Sequence, residues 1–445
     1  MCFLIGAVFF LLTGCGEKTI PMDTGIEETE SGDTLEEPAE AGLTEGMTEE
    51  SEEMNPSAEA PETEEAGMQE TVIEEGSNAA EAVDAEDAAA QDGAGALDEA
   101  DAVMSAMSLE DKICQLFFIT PEQLTKVDCV TAAGEITRQA YSKYPVGGMI
   151  YFAQNLKEPG QTAEMLAQMD AYARERSGLP VFLAVDEEGG RIVRIAENDA
   201  FGVQKVEAME HITDEKQAFG AGFTIGSYLK ELGFNLDFAP VADVLTNPEN
   251  TVVRDRSFGT DPGQVKKLAA AYSDGLHDAG ILSTYKHFPG HGATSGDTHE
   301  GYDYTGRTYE EMLQSELVPF AAAGEDGADF VMAAHIAAPA VTGDDTPCSL
   351  SPEMLTDILR NDLGYEGIVI TDALNMGAIV NDYPAGEASV RALEAGADML
   401  LMPQNFEEAY QAVYAAVQEG RISEDRLNQS VSRIIRTKLA IASKD

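Results

Sequence analysis

From residue 102 onward, short apolar segments alternate with longer segments of helical spacing. Most of the apolar segments are hydrophobic throughout, which is typical of parallel strands buried on both faces. The strand candidates are Gln115–Ile119, Gly148–Phe152, Val181–Asp186, Leu236–Pro240, Leu282–His287, Phe330–His335, Gly367–Asp372 and Asp398–Pro403. The helix candidates between or after them include Thr162–Ser177, Asp214–Leu232, Asp261–Ala279, Ser351–Leu363 and Phe406–Glu419. This alternation predicts an α/β fold, a single (β/α)8 TIM barrel, with a doubly wound open sheet as the alternative.

The N-terminus has a different pattern. Phe3–Leu12 is an apolar run too short to span a bilayer, and it is typical of the hydrophobic region of a secretion signal. The following Leu-Thr-Gly-Cys resembles the bacterial lipoprotein cleavage box, although no Lys or Arg precedes the run. We therefore predict a signal peptide over 1–15, lipidation at Cys15, and anchoring to the outer face of a bacterial membrane. A short buried strand with an accidental cysteine is the alternative.

Composition changes again between the signal and the alternating region. Residues 16–101 are rich in Glu, Ala, Thr, Gly and Ser, and Lys18 is their only basic residue. Roughly half of the net charge of −54 lies here, and large apolar residues are scarce. Such a segment predicts a disordered acidic linker, or an acidic binding tail as the alternative. The strongly negative chain argues against nucleic-acid partners.

Half of the six histidines lie in the segment KHFPGHGATSGDTHEG, which is too glycine-rich for a helix or a strand. His287 and His291 are four residues apart, as in helical zinc motifs, but Pro289 and Gly290 between them disfavour a helix. The cysteines that would remain after processing are widely spaced and form no CxxC pair. We therefore predict an acid/base site with no metal and no cofactor.

Charged residues close several of the predicted strands. Asp186, Lys286–His287, His335 and Asp372 lie at strand ends, where packing alone does not require a charge. The carboxyl ends of parallel strands carry the active site in a barrel of this type. The strand ends therefore predict one shared site, although each residue taken singly could also be a structural cap.

Five motifs now carry a family resemblance. They are VDEEGGR (185–191), DRSFG (255–259), KHFPGHG (286–292), GDTH (296–299) and VITDALNM (369–376). In this order they resemble bacterial family 3 glycoside hydrolases, and within them the β-N-acetylglucosaminidase branch. The resemblance covers 102–441, and we assign 102–445 to the catalytic domain.

The resemblance implies roles for the central residues. Asp372 corresponds to the carboxylate nucleophile that forms the glycosyl-enzyme intermediate, and His299, oriented by Asp297, corresponds to the acid/base. The chemistry is consistent, because an imidazole with an ordinary pKa can donate and then accept a proton near neutrality. An inverting pathway stays open, since only the spacing of the catalytic groups separates the two.

The resemblance also implies the sugar-binding residues Asp186, Arg256, Lys286 and His287. Other charged residues are expected to be structural or peripheral: Arg191 in an ion pair, Arg254 as a surface charge, Asp398 as a structural residue, and His211 and His277 without a role. His335 either lines the site or caps a buried strand.

The expected activity is exo-acting, retaining hydrolysis of terminal β-linked N-acetylglucosamine from peptidoglycan or chitin-type fragments by a monomer. The His/Asp pair favours 2-acetamido sugars, because the β-glucosidase branch lacks it. Three alternatives stay open: a β-glucosidase, an N-acetylglucosaminide phosphorylase, and a non-catalytic surface sugar-binding lipoprotein.

Overall fold

The computed structural model describes residues 99–294, 296 and 303–443. The predicted signal peptide, Cys15 and the linker up to residue 98 lie outside the described residues, and so do Asp297 and His299. Residues 99–106 form a helix, here called α1, in which Ala100 is fully buried. The last three residues of the predicted linker, 99–101, belong to this helix.

The strands of the described residues match the apolar segments of the sequence. They are β1 Phe117–Ile119, β2 Gly148–Ile150, β3 Phe182–Val185, β4 Leu236–Asp237, β5 Thr284–Phe288, β6 Asp303–Tyr304, β7 Phe330–Ala333, β8 Ile336–Ala337, β9 Ile368–Thr371 and β10 Leu400–Leu401. Every predicted strand is present, mostly in a shorter form, while the two-residue strands β6 and β8 were not predicted. Gln115, predicted as strand, is the last residue of a helix.

All pairings between these strands are parallel. One sheet has the order β10-β1-β2-β3-β4 and a second has the order β5-β7-β9. Isolated parallel bridges join their edges. Leu236–Leu282 and Val241–Lys286 lie on one side, and Ile370–Met399 lies on the other. The predicted α/β class with parallel strands is confirmed.

Helices follow the strands along the chain. They are α2 Leu109–Gln115, α3 Pro121–Thr125, α4 Glu135–Lys143, α5 Pro159–Ser177, α6 Glu215–Leu232, α7 Pro262–Asp278, α8 Tyr309–Met312, α9 Val318–Ala322, α10 Pro339–Thr342, α11 Gly377–Val380, α12 Ala385–Ala395, α13 Phe406–Gln418 and α14 Glu424–Ala442, with a π-helical segment at Glu353–Asp362. The side chains of Asp214 and Asp261 accept backbone N–H groups at the starts of α6 and α7. Gly233 ends α6 in the left-handed conformation that favours glycine.

Aromatic side chains fill the space between the strands. Phe118 of β1 stacks on Phe182 of β3 at a centroid distance of 6.4 Å, and Phe182 packs edge-on against Phe330 of β7 at 5.2 Å. Phe118, Phe182 and Phe330 are all fully buried, so this layer belongs to the hydrophobic core. None of the helices in the described part of the chain is long and apolar enough to cross a membrane.

Candidate active site

A cavity of about 340 Å³ opens at the carboxyl ends of the strands. Asp186 follows β3, Lys286 and His287 belong to β5, and Asp372 follows β9. Arg256 enters from the loop between β4 and α7. These five predicted site residues all line this cavity, together with the apolar residues Ile150, Phe152, Ile192, Met332, Met376, Leu401 and Met402.

A buried cluster of opposite charges forms one wall. Lys286 Nζ lies 3.0 Å from Asp186 Oδ1 and 2.7 Å from Glu188 Oε1. Arg256 donates to both oxygens of Glu188, from Nε at 2.8 Å and from Nη2 at 2.7 Å. This two-point geometry fixes the guanidinium more firmly than a single contact would. Glu188 was not predicted as a site residue, yet it joins the two predicted cations.

The opposite charges in this cluster shift the pKa values of Glu188 and Lys286. Burial alone would raise the pKa of Glu188, but the charges of Arg256 and Lys286 outweigh burial and lower the pKa below its ordinary range. Burial would likewise lower the pKa of Lys286, and the carboxylates of Glu188 and Asp186 raise it instead. Both shifts favour the ionised forms of Glu188 and Lys286 in this wall of the cavity.

Asp243 holds the beginning of the histidine-rich segment. Its Oδ2 lies 2.7 Å from His287 Nδ1, and its Oδ1 accepts the backbone N–H groups of His287 and His291 at 3.1 and 2.6 Å. Arg256 Nη2 lies 3.3 Å from His287 Nε2. Because the guanidinium can only donate, this contact assigns a lone pair to Nε2 and the proton to Nδ1. Asp243, also unpredicted, therefore sets the orientation and the tautomer of His287.

The backbone around Asp372 is fixed from both sides. Its N–H donates to Ala333 O at 2.8 Å, and its Oδ1 accepts the N–H of Ala373 at 2.7 Å. His335 is fully buried, with Nε2 at 3.0 Å from Ala373 O and Nδ1 at 2.7 Å from Ser349 Oγ. Of the two roles considered for His335, the structure supports the buried structural one, which supports the peptide next to Asp372.

The loop after β3 places a second arginine, Arg194, in the lining of the cavity. Buried Glu187 accepts the backbone N–H groups of residues 194–196 and the hydroxyl of Tyr228. The resulting closed loop turns at Gly189 and Gly190, which both have positive φ. Arg194 consequently lines the cavity, with Nη2 at 3.8 Å from Asp186 Oδ2. The sequence analysis did not identify Arg194.

The residues expected to be structural or peripheral lie away from the cavity lining. Arg191 forms an exposed ion pair with Asp255 at 2.8 Å, as predicted. Asp398 is buried among Arg360, Arg426 and Arg433, which confirms its structural role. His211 is exposed, and His277 binds Asp329 at 2.7 Å.

The histidine pair of the KHFPGHG motif is held by protein groups. His291 Nδ1 lies 2.8 Å from Thr294 Oγ1, and burial lowers the pKa of His291. Among residues 99–294, 296 and 303–443, no three His, Cys, Asp or Glu side chains are grouped so that they could hold a metal ion. Cys114, Cys129 and Cys348 are free thiols.

A parallel α/β fold with a carboxylate and a charged, sugar-sized cavity at its strand ends is typical of a glycoside hydrolase. Residues 108–437 match the family model described as the glycosyl hydrolase family 3 N terminal domain. The chain belongs to glycoside hydrolase family 3, which confirms the predicted family and the predicted enzyme class.

The chain is also similar to individual members of this family. The chain is 32% identical over 343 residues to the β-hexosaminidase LpqI of Mycobacterium tuberculosis, covering 75% of this chain and 83% of the relative. It is 33% identical over 330 residues to β-hexosaminidase A of Pseudoalteromonas piscicida, covering 68% of this chain and 55% of the relative. A family 3 β-N-acetylglucosaminidase structure from Paenibacillus has a TM-score of 0.70 and 37% identity, with 76% of this chain and 64% of that chain covered. The matched region thus spans little more than half of the Pseudoalteromonas protein and about two thirds of the Paenibacillus protein.

Proposed function

We propose that this protein is an exo-acting, retaining β-N-acetylglucosaminidase that removes terminal β-linked N-acetylglucosamine from peptidoglycan or chitin-type fragments. One observation carries the proposal. A single cavity joins Asp372 to the ionised cluster of Asp186, Glu188, Lys286 and Arg256 in a chain whose relatives are named β-hexosaminidases.

In the proposed reaction, Asp372 attacks the anomeric carbon and forms a glycosyl ester. His299 donates its proton to the leaving oxygen, so the leaving sugar departs as an alcohol. Neutral His299 then takes a proton from water, which attacks the same carbon and releases Asp372. Asp297 orients His299. The Asp372 assignment is supported by the hydrogen bond from the Ala373 N–H to Oδ1, because this bond stabilises the carboxylate.

The charged wall would bind the sugar hydroxyls. Asp186 accepts hydrogen bonds, Lys286 and Arg256 donate them, and His287 borders the edge of the ring. Because these groups are already held by Glu188 and Asp243, little ordering is required when the sugar binds. The apolar lining at Phe152, Ile192 and Met376 would contact the carbon faces of the sugar and the acetamido methyl.

We also infer that the strands close into one (β/α)8 barrel. The inference is supported by the three isolated parallel bridges that link the outer edges of the five-stranded and three-stranded sheets. A lipid anchor at Cys15 on the outer face of the membrane remains a proposal that rests on the sequence pattern. Incorporation of labelled fatty acid into wild type, and its loss in Cys15→Ala, would test the anchor.

Paired substrates test the proposed activity. We expect wild type to release aryl alcohol rapidly from an aryl β-N-acetylglucosaminide and far more slowly from the matching β-glucoside. Asp372→Ala is expected to retain the fold but lose turnover. Preference for the glucoside would favour the β-glucosidase alternative. Release of a sugar phosphate only when phosphate is present would favour the phosphorylase, and bound but uncleaved substrate the sugar-binding protein.

A further inference from the structure

One buried asparagine, Asn250, joins two segments that both lead to the cavity. The residue is fully buried. Its Oδ1 accepts the N–H groups of Val252 and Val253, both at 2.9 Å. Its Nδ2 donates to His291 O at 2.9 Å and to Thr294 O at 3.0 Å. Because an amide side chain has two acceptor positions and two donors, Asn250 uses its full capacity on four backbone groups.

The first of these segments leads directly to Arg256. Val253 O accepts the backbone N–H of Arg256 at 3.1 Å, and Val252 O accepts Arg256 Nη1 at 3.4 Å. The two residues held by Asn250 therefore contact both the backbone and the guanidinium of Arg256. Glu188 binds the other two nitrogen atoms of that guanidinium. The position of Arg256 consequently depends on two different loops.

The second segment continues from β5 beyond His287. Asp243 accepts the backbone N–H groups of His287 and His291, and Asn250 binds the carbonyl oxygen of the same His291. His291 is thus held at its N–H by one side chain and at its carbonyl by another. The two segments meet in the cavity, where Arg256 Nη2 lies 3.3 Å from His287 Nε2. This contact depends on how the segments are joined.

We propose that Asn250 is a positioning residue for the reaction. It joins the turn of Arg256 to the segment after His287 and so fixes these two sugar-binding side chains relative to each other. This inference rests on the proposed function and adds a residue that does not itself line the cavity. The position requires an amide, because a carboxylate cannot donate to two carbonyl groups and a hydroxyl donates only one hydrogen bond.

A kinetic double-mutant cycle tests this role. Asn250→Asp keeps an acceptor for the turn of Arg256 but cannot donate to the two carbonyl groups of the other segment. We expect kcat/KM for an aryl β-N-acetylglucosaminide to fall by about tenfold or more, and the inhibition constant of N-acetylglucosamine to rise, because a binding group is displaced. In an Arg256→Ala background the same change should cost less than about twofold, since Asp243 still holds His287.

Asn235→Asp is the matched control. Asn235 is also buried, and both ends of its amide bind the backbone. Its Nδ2 donates to Val181 O at 2.9 Å, and its Oδ1 accepts the N–H of Leu183 at 2.8 Å. Asn235 precedes β4 and therefore lies at the end of the strand opposite to the cavity. We expect this variant to lose stability but to keep the kcat/KM of wild type.

The outcomes are distinct. A loss in Asn250→Asp that disappears in the Arg256→Ala background supports the proposal. Unchanged kinetics in Asn250→Asp, equal losses with and without Arg256, or an equal loss in Asn235→Asp overturns it, because each indicates either no role or a role in stability alone. Melting temperatures establish that the variants are folded, and if Asn250→Asp does not fold, Asn250→Ser replaces it in the same cycle with the same expectations.

Failure of the proposed function has a separate signature. Wild type would then neither cleave the aryl N-acetylglucosaminide nor bind N-acetylglucosamine, a result that involves no comparison between variants.

Discussion

Replacing Glu188 with Gln perturbs the charged wall at its centre. In wild type, Glu188 binds Lys286 Nζ at 2.7 Å and Arg256 at 2.7 and 2.8 Å, while its own side chain is only 2% exposed. Glu188→Gln leaves Lys286 with Asp186 as its carboxylate partner and removes the carboxylate that binds Arg256. Removing one partner from a buried ion pair costs about 3–5 kcal/mol of unfolding free energy. Because glutamine can keep some of the hydrogen bonds, we expect a loss of about 3 kcal/mol.

The pH dependence provides a second, independent signature. Because the folded-state pKa of Glu188 is lowered, its stabilisation is complete above the unfolded value near ~4.3 and is lost as the pH falls below it. The difference in unfolding free energy between wild type and Glu188→Gln should therefore be constant near neutrality and shrink below about pH 4. Lys286 and Arg256 would also lose their fixed positions, so kcat/KM should fall by about 10²-fold.

Urea unfolding at several pH values measures the stability difference, and aryl glycoside kinetics measure the loss of activity. Glu175→Gln is the matched control, because Glu175 pairs with Arg138 at the exposed surface. We expect the control to change stability far less. Equal unfolding free energies for wild type and Glu188→Gln at pH 7, or a difference that persists unchanged at pH 3, would refute the reasoning.

Three further changes probe other parts of the account. His299→Ala should slow disaccharide cleavage by about 10²–10⁴-fold and aryl glycoside cleavage much less, since a good leaving group needs little acid assistance; equal losses would indicate a binding role. Asp398→Ala should cost about 3–5 kcal/mol in urea unfolding with an unchanged KM, because three arginines lose their buried partner, and an unchanged midpoint would contradict this. Burial lowers the pKa of Lys438 to about 7. Above that pH, Lys438 loses its proton in the folded protein but keeps it in the unfolded chain. Between about pH 7 and 10 the unfolding free energy should rise with pH in wild type but less in Lys438→Met, and parallel curves would disprove it.

The apolar pattern located every long parallel strand, because residues buried on both faces leave a continuous hydrophobic run. The exact ends depend on backbone hydrogen bonds that the pattern does not record. Gln115 illustrates this, since it completes helix α2 and donates to Pro145 O at 2.7 Å. The strands β6 and β8 were not predicted, although β4 and β10 are equally short. β6 lies in a polar stretch around Asp303, and β8 follows almost directly after β7.

The site was predictable where charges close strands, and less so in the loops. Glu187 and Glu188 are adjacent and chemically alike, and only the folded loop turns the first toward backbone N–H groups and the second toward the cations. Arg194 reaches the cavity only because that loop closes. Asp243 did have a signal, because it is the single charge in the apolar segment Val241–Val244, and a fully buried carboxylate needs a partner.

The most direct test of the central claim is to trap the glycosyl-enzyme intermediate. Wild type would be incubated with a 5-fluoro β-N-acetylglucosaminyl fluoride, digested, and the labelled peptide sequenced by mass spectrometry. The account predicts one added sugar on Asp372 and none in Asp372→Ala. A label on Asp186 or Glu188, or no label while the same preparation hydrolyses the aryl glycoside, would contradict a retaining mechanism through Asp372.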